Sequence, residues 1–256
     1  MGDEAGSIAL AIEGPIATVT IDRPTKLNAI NPTMLVQLET VVAQLEADDA
    51  VRVVILASSG VRAFSVGADV NAWAALQPSD MWRHWVREGH RIAQRLAGLR
   101  QPTICAIQGF TFGGGLEIAL ATDIRIASDA ATFAMPETSI GTLPGWGGTR
   151  RLAESIGASR TKQMIFTGMR IDAQRALQWG LVNEVVGAES LHATVEELAG
   201  AIARNAPSAV QLAKLAIDQA PAGLEAMAGA VAFATDDGRE GIASFQEKRT
   251  ASFTGS

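Results

Sequence analysis

The stretch "IQGFTFGGGLEIALA" (residues 107–121) constrains this chain more than any other part of it. An apolar, strand-like run meets three consecutive glycines, and a helix-forming run follows with one carboxylate in its middle. Glu117 has Leu116, Ile118, Ala119, Leu120 and Ala121 around it. An unpaired charge is expensive to bury, so a fold that buries this helix must pair the carboxylate, protonate it or use it. The strand-like run "DIRIAS" (123–128) comes next, giving strand, glycine-opened helix and strand in succession.

The rest of the chain repeats that alternation. "SIALAIEGPIATVTID" reads as two strands turned at Gly14-Pro15. Asn31-Pro32 marks a helix start, with Leu35, Leu38, Val42 and Leu45 at helical spacing up to Asp48. "VRVVILA" (51–57) predicts a short buried strand. A helix is expected from Ser79 to Leu99 with Trp85, Ile92, Leu96 and Leu99 inward, then a strand in "TICAIQ". "TFAMPE" extends the strand pattern after 123–128. Helices are expected from about Gly147, Ser159 and Asp172, with a last strand in "LVNEVV" (181–186). From Glu189 onward the pattern is helical to the end, broken at Asn205-Ala206-Pro207 and Pro221-Ala222-Gly223. Strands alternating with helices predict an α/β core with a C-terminal helical appendage, divided here as 1–188 and 189–256.

Several function classes are disfavoured by composition. A net charge of -6 and no lysine-arginine run argue against a nucleic-acid partner, which needs a basic face. One cysteine, Cys105, allows no intramolecular disulfide, and its apolar run predicts an inert buried thiol. The acidic start "MGDEAGSIAL" does not read as a signal peptide, and Gly6 stands where myristoylation would want Ser or Thr. No apolar run reaches membrane-spanning length. A cytoplasmic protein with no membrane partner is the expectation.

Two loops carry dispensable side chains. "AFSVGADV" (63–70) follows one strand, and "FTFGGGLE" follows another and opens a helix. Glycine and alanine let a ligand reach main-chain N–H groups, which are unpaired at a helix N-terminus where the dipole favours negative charge. An oxyanion hole needs that arrangement, but for either loop by itself ordinary turn chemistry is the better account. A dinucleotide fingerprint is absent, because Thr111 and Gly114 stand two and five residues after Gly109. Ser65 lacks the leading glycine of G-x-S-x-G. His84, His90 and His192 show no metal-ligand spacing and read as helix-face residues, so no metal is expected. A second acid, Glu137 in "TFAMPETSIGTLPG", reads alone as a turn or cap residue or as a catalyst. With Glu117 it forms a pair able to divide acid and base work, although spacing does not show that the two meet.

Over nearly its full length the chain resembles the enoyl-CoA hydratase/isomerase family, the crotonases. "RPTKLNAIN", "AFSVGADV", "IQGFTFGGGLEIALATDIRIAS", "FAMPETSIGTLPGWGGTRRL" and "EGIASFQEKR" look like the family's motifs in the family's order. The resemblance implies an α/β fold, a crotonase-type spiral of ββα units with a C-terminal helical region that packs homotrimers or dimers of trimers. It implies an acyl-CoA thioester substrate, coenzyme A being part of the substrate and no further cofactor being needed. The thioester carbonyl would rest on the amides of Ala68 and Gly114, and Glu117 and Glu137 match the two glutamates of the hydratases. Lys26, Leu27 and Ala29 would border the CoA moiety, as would Gly67, Asp69 and Val70. Gly113, Pro136, Gly145 and Trp146 would border the substrate, and Phe245 and Lys248 would come from a neighbouring subunit.

The activity implied is hydration of a trans-2-enoyl-CoA to a 3-hydroxyacyl-CoA. Other crotonase reactions stand as alternatives: isomerisation, carnitinyl-type dehydration, hydratase-lyase cleavage. A silent acyl-CoA binder or an RNA-binding relative stands further off. Asn71 occupies a place where fatty-acyl hydratases often carry lysine. Trp146 replaces what is often a small residue, either as a packing residue or as one that shapes the acyl pocket. Leu198, Ile202, Leu212, Leu215 and Ile217 are expected to pack subunits together.

Overall fold

The computed structural model describes residues 5–73, 76–219 and 223–256. The acids of "MGDE" and the predicted break at Pro221-Ala222 lie outside these. Gly14-Pro15 turns the chain between β1 (Ser7–Glu13) and β2 (Ile16–Asp22), which pair antiparallel. Asn31 then caps α1 (Pro32–Ala47), its side chain accepting from the Met34 amide, with Pro32 at the first position, where no amide is needed. Met34, Leu35, Leu38, Val41, Val42 and Leu45 form its buried face.

β3 (Val53–Ser58) is buried at every position, since both faces of its sheet are covered. Val54 and Leu56 join the main core, while Val53, Ile55 and Ala57 join a second one on the opposite face. The chain then makes β4 (Ala63–Ser65) and the short turns α2 (Val70–Trp73) and α3 (Pro78–Asp80). The single helix expected over 79–99 is interrupted by a π-helical turn at Met81–Val86 before α4 (Arg87–Ala97). Trp85, Ile92, Leu96 and Leu99 are buried as expected, Leu99 just beyond the helix.

β5 (Thr103–Ile107), β6 (Phe110–Phe112) and α5 (Gly114–Ala119) follow, then β7 (Ile124–Ser128) and β8 (Thr132–Ala134). α6 (Gly148–Ile156), α7 (Ala158–Thr167), β9 (Ile171–Asp172), α8 (Ala173–Trp179) and β10 (Glu184–Val186) complete the core. The six-stranded sheet runs β1-β2-β3-β5-β7-β10 and the four-stranded one β4-β6-β8-β9. The passes β3–β4, β5–β6 and β7–β8 each lay one strand in each sheet before turning into helix, while β1 and β2 both join the larger sheet, and the whole is a spiral of ββα units. Its parallel neighbours, β3 beside β5 beside β7, bring the ends of successive passes to one place.

The C-terminal helices are α9 (Leu191–Ala203), α10 (Pro207–Gln219), α11 (Leu224–Ala234) and α12 (Asp236–Glu247). α9 covers the six-stranded sheet through Leu191, Val195 and Ala199, so Leu198 and Ile202 pack part-buried on their own chain's second core. Leu212 is part-buried on α10, while Leu215 and Ile217 are exposed. Helix does not continue to the end. Thr235 breaks it by capping α12, its hydroxyl accepting from the Gly238 amide, and residues 250–256 are irregular. The buried Asp237 carboxylate holds that tail by the amides of Thr254 and Gly255.

Candidate active site

Two of the quoted motifs are one structural unit. Arg23, buried in "RPTKLNAIN", donates to the Ala29 carbonyl at 3.0 Å and to Asp69 Oδ2 at 2.7 Å. Asn28 Nδ2 reaches the Ala63 carbonyl, and Ser65 Oγ donates to the Asn28 carbonyl. Main-chain bonds from Ile30 N to Gly67 O and from Asp69 N to Ile30 O, both 2.8 Å, fix residues 66–69. These bonds leave the Ala68 amide without an acceptor among the described residues.

α5 supplies a second such amide. Gly113 caps it at φ 50, a conformation in which a side chain is strained, and an added Cβ would lie 2.8 Å from Glu137 Oε1. Gly115 lies so close to β4 that a Cβ would meet the Ser65 carbonyl at 2.3 Å. The Gly114 amide, in the first turn, has no acceptor among the described residues either. A Cβ placed on Gly114 would stand 3.4 Å from the Ala68 nitrogen, so the two amides are neighbours.

One turn on, Glu117 is 3% exposed. Its Oε1 accepts from the amides of Trp146 at 2.6 Å and Gly148 at 2.7 Å, and its Oε2 from Gly145 at 3.3 Å. Gly148 begins α6, whose own cap residue, Gly147, offers no side-chain acceptor. The carboxylate of α5 thus satisfies amides at the N-terminus of α6. Burial raises the Glu117 pKa above the ordinary carboxylate range, while those three amides and the Arg151 charge oppose the rise.

Glu137 opens a 3₁₀ turn, Glu137–Ile140, just after β8. Its Oε2 is buried with no hydrogen-bond partner among the described residues. Burial pushes its pKa up to about 7, and the Glu117 charge adds to the push. Both glutamates line one cavity of about 130 Å³.

Ala68, Val70, Gly113 and Gly114 border that cavity, as do Pro136, Gly145 and Trp146. Lys26, Leu27, Ala29, Gly67 and Asp69 do not line it. Lys26 is exposed, and the Asp69 carboxylate is spent on Arg23. Phe245 and Lys248 are exposed at the end of α12, Phe245 at 85%, and do not line it in this chain. Trp146 packs and borders the cavity: at 3% exposure its ring centroid lies 5.6 Å from that of Trp85, and both residues line the cavity. Its indole also lies over Gly89, where a Cβ would come within 2.0 Å of Nε1.

Sequence reasoning missed Met81, Trp85 and Val86 as lining residues. The π turn, with i→i+5 bonding, brings position 86 back over position 81. The run "MWRHWV" gives the apolar signal without that spacing. Cys105 is buried and its thiol pKa is raised by burial, as an inert thiol's would be. His84, His90 and His192 are exposed on helical segments. Among the described residues no helix is long and apolar enough to cross a membrane.

The family model described as enoyl-CoA hydratase/isomerase matches residues 11–256. A short-chain-enoyl-CoA hydratase of Clostridium acetobutylicum is 39% identical, the match covering 96% of this chain and 97% of that protein. A crotonyl-CoA hydratase of Syntrophomonas wolfei is 36% identical over the same shares, 96% and 97%. The crystal structure of an enoyl-CoA hydratase from Bacillus anthracis superposes with a TM-score of 0.93 at 35% identity, covering 97% of this chain and 99% of that one. Two ordered sheets, helices that close the same spiral and a full-length sequence match agree: the chain is an enzyme of the enoyl-CoA hydratase/isomerase family.

Proposed function

We propose that the protein hydrates a trans-2-enoyl-CoA to the corresponding 3-hydroxyacyl-CoA, with a short acyl group. The observation that carries this reading is that two carboxylates and two unspent amides face one cavity. The thioester oxygen rests on the amides of Ala68 and Gly114, which polarise the carbonyl and make the β-carbon electrophilic. Water sits between the glutamates. Glu117, whose charge three amides support, takes a proton from it as the oxygen adds to the β-carbon. The electron pair of the double bond moves onto the thioester oxygen, giving an enolate held by the same two amides. Glu137, whose carboxyl burial pushes up to about 7, gives its proton to the α-carbon. Exchange with solvent resets the pair, which titrates as a coupled unit.

The similarity to a short-chain-enoyl-CoA hydratase and a crotonyl-CoA hydratase favours a short acyl group. The CoA portion runs outward past residues 26–29 and 67–70, and Phe245 and Lys248 complete its site from a second copy within a trimer. Isomerisation asks for one acid-base group, so the Glu117 cradle is what favours hydration. The test is loss of the conjugated-thioester absorbance on mixing with enoyl-CoAs of graded length. Turnover fastest with crotonyl-CoA supports the reading, and no loss with any of them refutes it.

A further inference from the structure

Arg151 is a buried charge that the proposed chemistry does not yet use. It is 6% exposed, whereas arginine ordinarily keeps its head group in water. Its neighbour Arg150, by contrast, is exposed and pairs with Glu154 at 2.7 Å one turn along. Arg151 instead turns back toward the start of its own helix. Nη1 donates to the Trp146 carbonyl at 2.9 Å, and Nη2 to Gln94 Oε1 on α4 at 2.9 Å. The fit is close: a Cβ on Gly147, which has φ +102, would lie 2.3 Å from Nη1.

Residues 145–148 are therefore gripped from two sides. Their amides at 145, 146 and 148 meet the Glu117 carboxylate, and the carbonyl at 146 meets the guanidinium. We propose that Arg151 is a positioning residue for Glu117, holding the 145–148 segment by the Trp146 carbonyl so that its amides stay trained on the carboxylate. This rests on the reading in which ionised Glu117 takes the proton of water. The charge acts in the same direction as the geometry, because Arg151 favours the ionised form of Glu117. The charged groups facing this pair are Glu137 across the cavity, and Arg150 and Glu154 behind Arg151. On its far side Arg151 also borders a polar recess with Asp123, Arg125 and Asp218.

Three variants test the assignment: Arg151→Met removes grip and charge, Arg151→Lys keeps the charge, and Gln94→Leu removes only the partner of Nη2. With crotonyl-CoA, Arg151→Met should lower kcat by about 10²-fold, the scale of a small misplacement of a reacting group. KM should stay near that of the parent, since the Ala68 and Gly114 amides are untouched. The acid limb of the kcat/KM profile should move to higher pH in Arg151→Met and return toward the parent in Arg151→Lys. Gln94→Leu should lose less than Arg151→Met and keep the parent limb. A titration of ¹³C-labelled glutamate, with Glu117 assigned by its loss in Glu117→Gln, reads the carboxylate directly and needs no turnover. An inactive parent would sink the hydratase reading while leaving that titration to judge Arg151. Parent-like Glu117 titration in both Arg151 variants overturns the proposal. So does loss of kcat with the acid limb unmoved, which is what mere unfolding of α6 would give. If Arg151→Met does not fold, Arg151→Lys and Gln94→Leu decide: a parent kcat in both overturns it.

Discussion

Replacing Glu137 with glutamine should stabilise the fold while destroying the reaction. Glu137 Oε2 is buried with no partner among the described residues, and burial lifts the carboxyl pKa from 4.5 to about 7. Between those two values the folded chain keeps a proton that the unfolded chain has released. Stability must therefore fall as pH rises through that window, with the full cost present above it. At roughly 1.36 kcal/mol for each pKa unit, that interval amounts to about 3 kcal/mol, an upper figure because the cavity opens to water. Glutamine has nearly the same shape and cannot ionise, so it does not carry this cost. Urea unfolding of parent and Glu137→Gln across pH 4 to 9 measures it, because titrating groups remote from the pair cancel in the difference and what is left belongs to Glu137 and its coupling to Glu117. The variant should gain stability over the parent as pH rises from 4.5, levelling near 3 kcal/mol above pH 7. Hydration should fall by about 10²–10⁴-fold. A stability difference that is flat with pH, or one that moves toward the parent as pH rises, refutes the electrostatic reasoning.

Glu117→Gln keeps one acceptor oxygen for the amides of Trp146 and Gly148, so it should fold and bind acyl-CoA while losing hydration about 10²–10⁴-fold. A parent rate in that variant removes Glu117 from the mechanism, as an isomerase would. Trp146→Ala should cost about 3–5 kcal/mol of stability and shift kcat/KM toward longer enoyl-CoAs; an unchanged chain-length profile in the folded variant would leave Trp146 a packing residue alone. Ile217, Val231 and Phe233 are exposed at 77%, 55% and 67% on the C-terminal helices. Light scattering should therefore give a trimer or a multiple of it, and a monomer at working concentration would refute that.

What the sequence discloses about this fold is set by how locally each element is determined. The β1–β2 hairpin, capped α1 and doubly buried β3 carry their causes in adjacent residues: a Gly-Pro turn, an Asn-Pro start and a continuous β-branched run. β4, β6 and β9 span two or three residues each, too short to show a period, and exist because a neighbouring strand pairs with them. The π turn is likewise unreadable, since "MWRHWV" satisfies an ordinary helix as well. In the site, Glu117 stands out because a carboxylate in apolar company is conspicuous, whereas Glu137, beside Pro136, Thr138 and Ser139, reads equally as a turn residue and is picked out by the resemblance to the family. Arg151 does not, because "TRRL" offers two arginines with nothing to say which one the fold buries.

The glycines before Glu117 and those after Gly145 solve the same physical problem from opposite sides. A helix N-terminus leaves amides unpaired, and a buried one must find them acceptors. At α5 the chain strips the approach bare, with Gly113 and Gly114, and leaves the Gly114 amide open to the cavity. At α6 it strips the approach too, but fills the place with Glu117 from α5 itself. One short helix thus leaves an amide open to the cavity at its start and spends a carboxylate on its neighbour a turn later. The two roles are coupled: moving residues 145–148 would shift Glu117 relative to the amide of Gly114, only three residues before it. In the proposed hydration, that coupling would let a carboxylate in this apolar helix serve both as a structural cap and as an acid-base group. On that reading, the three amides that satisfy its carboxylate in the fold would also hold its position for the substrate.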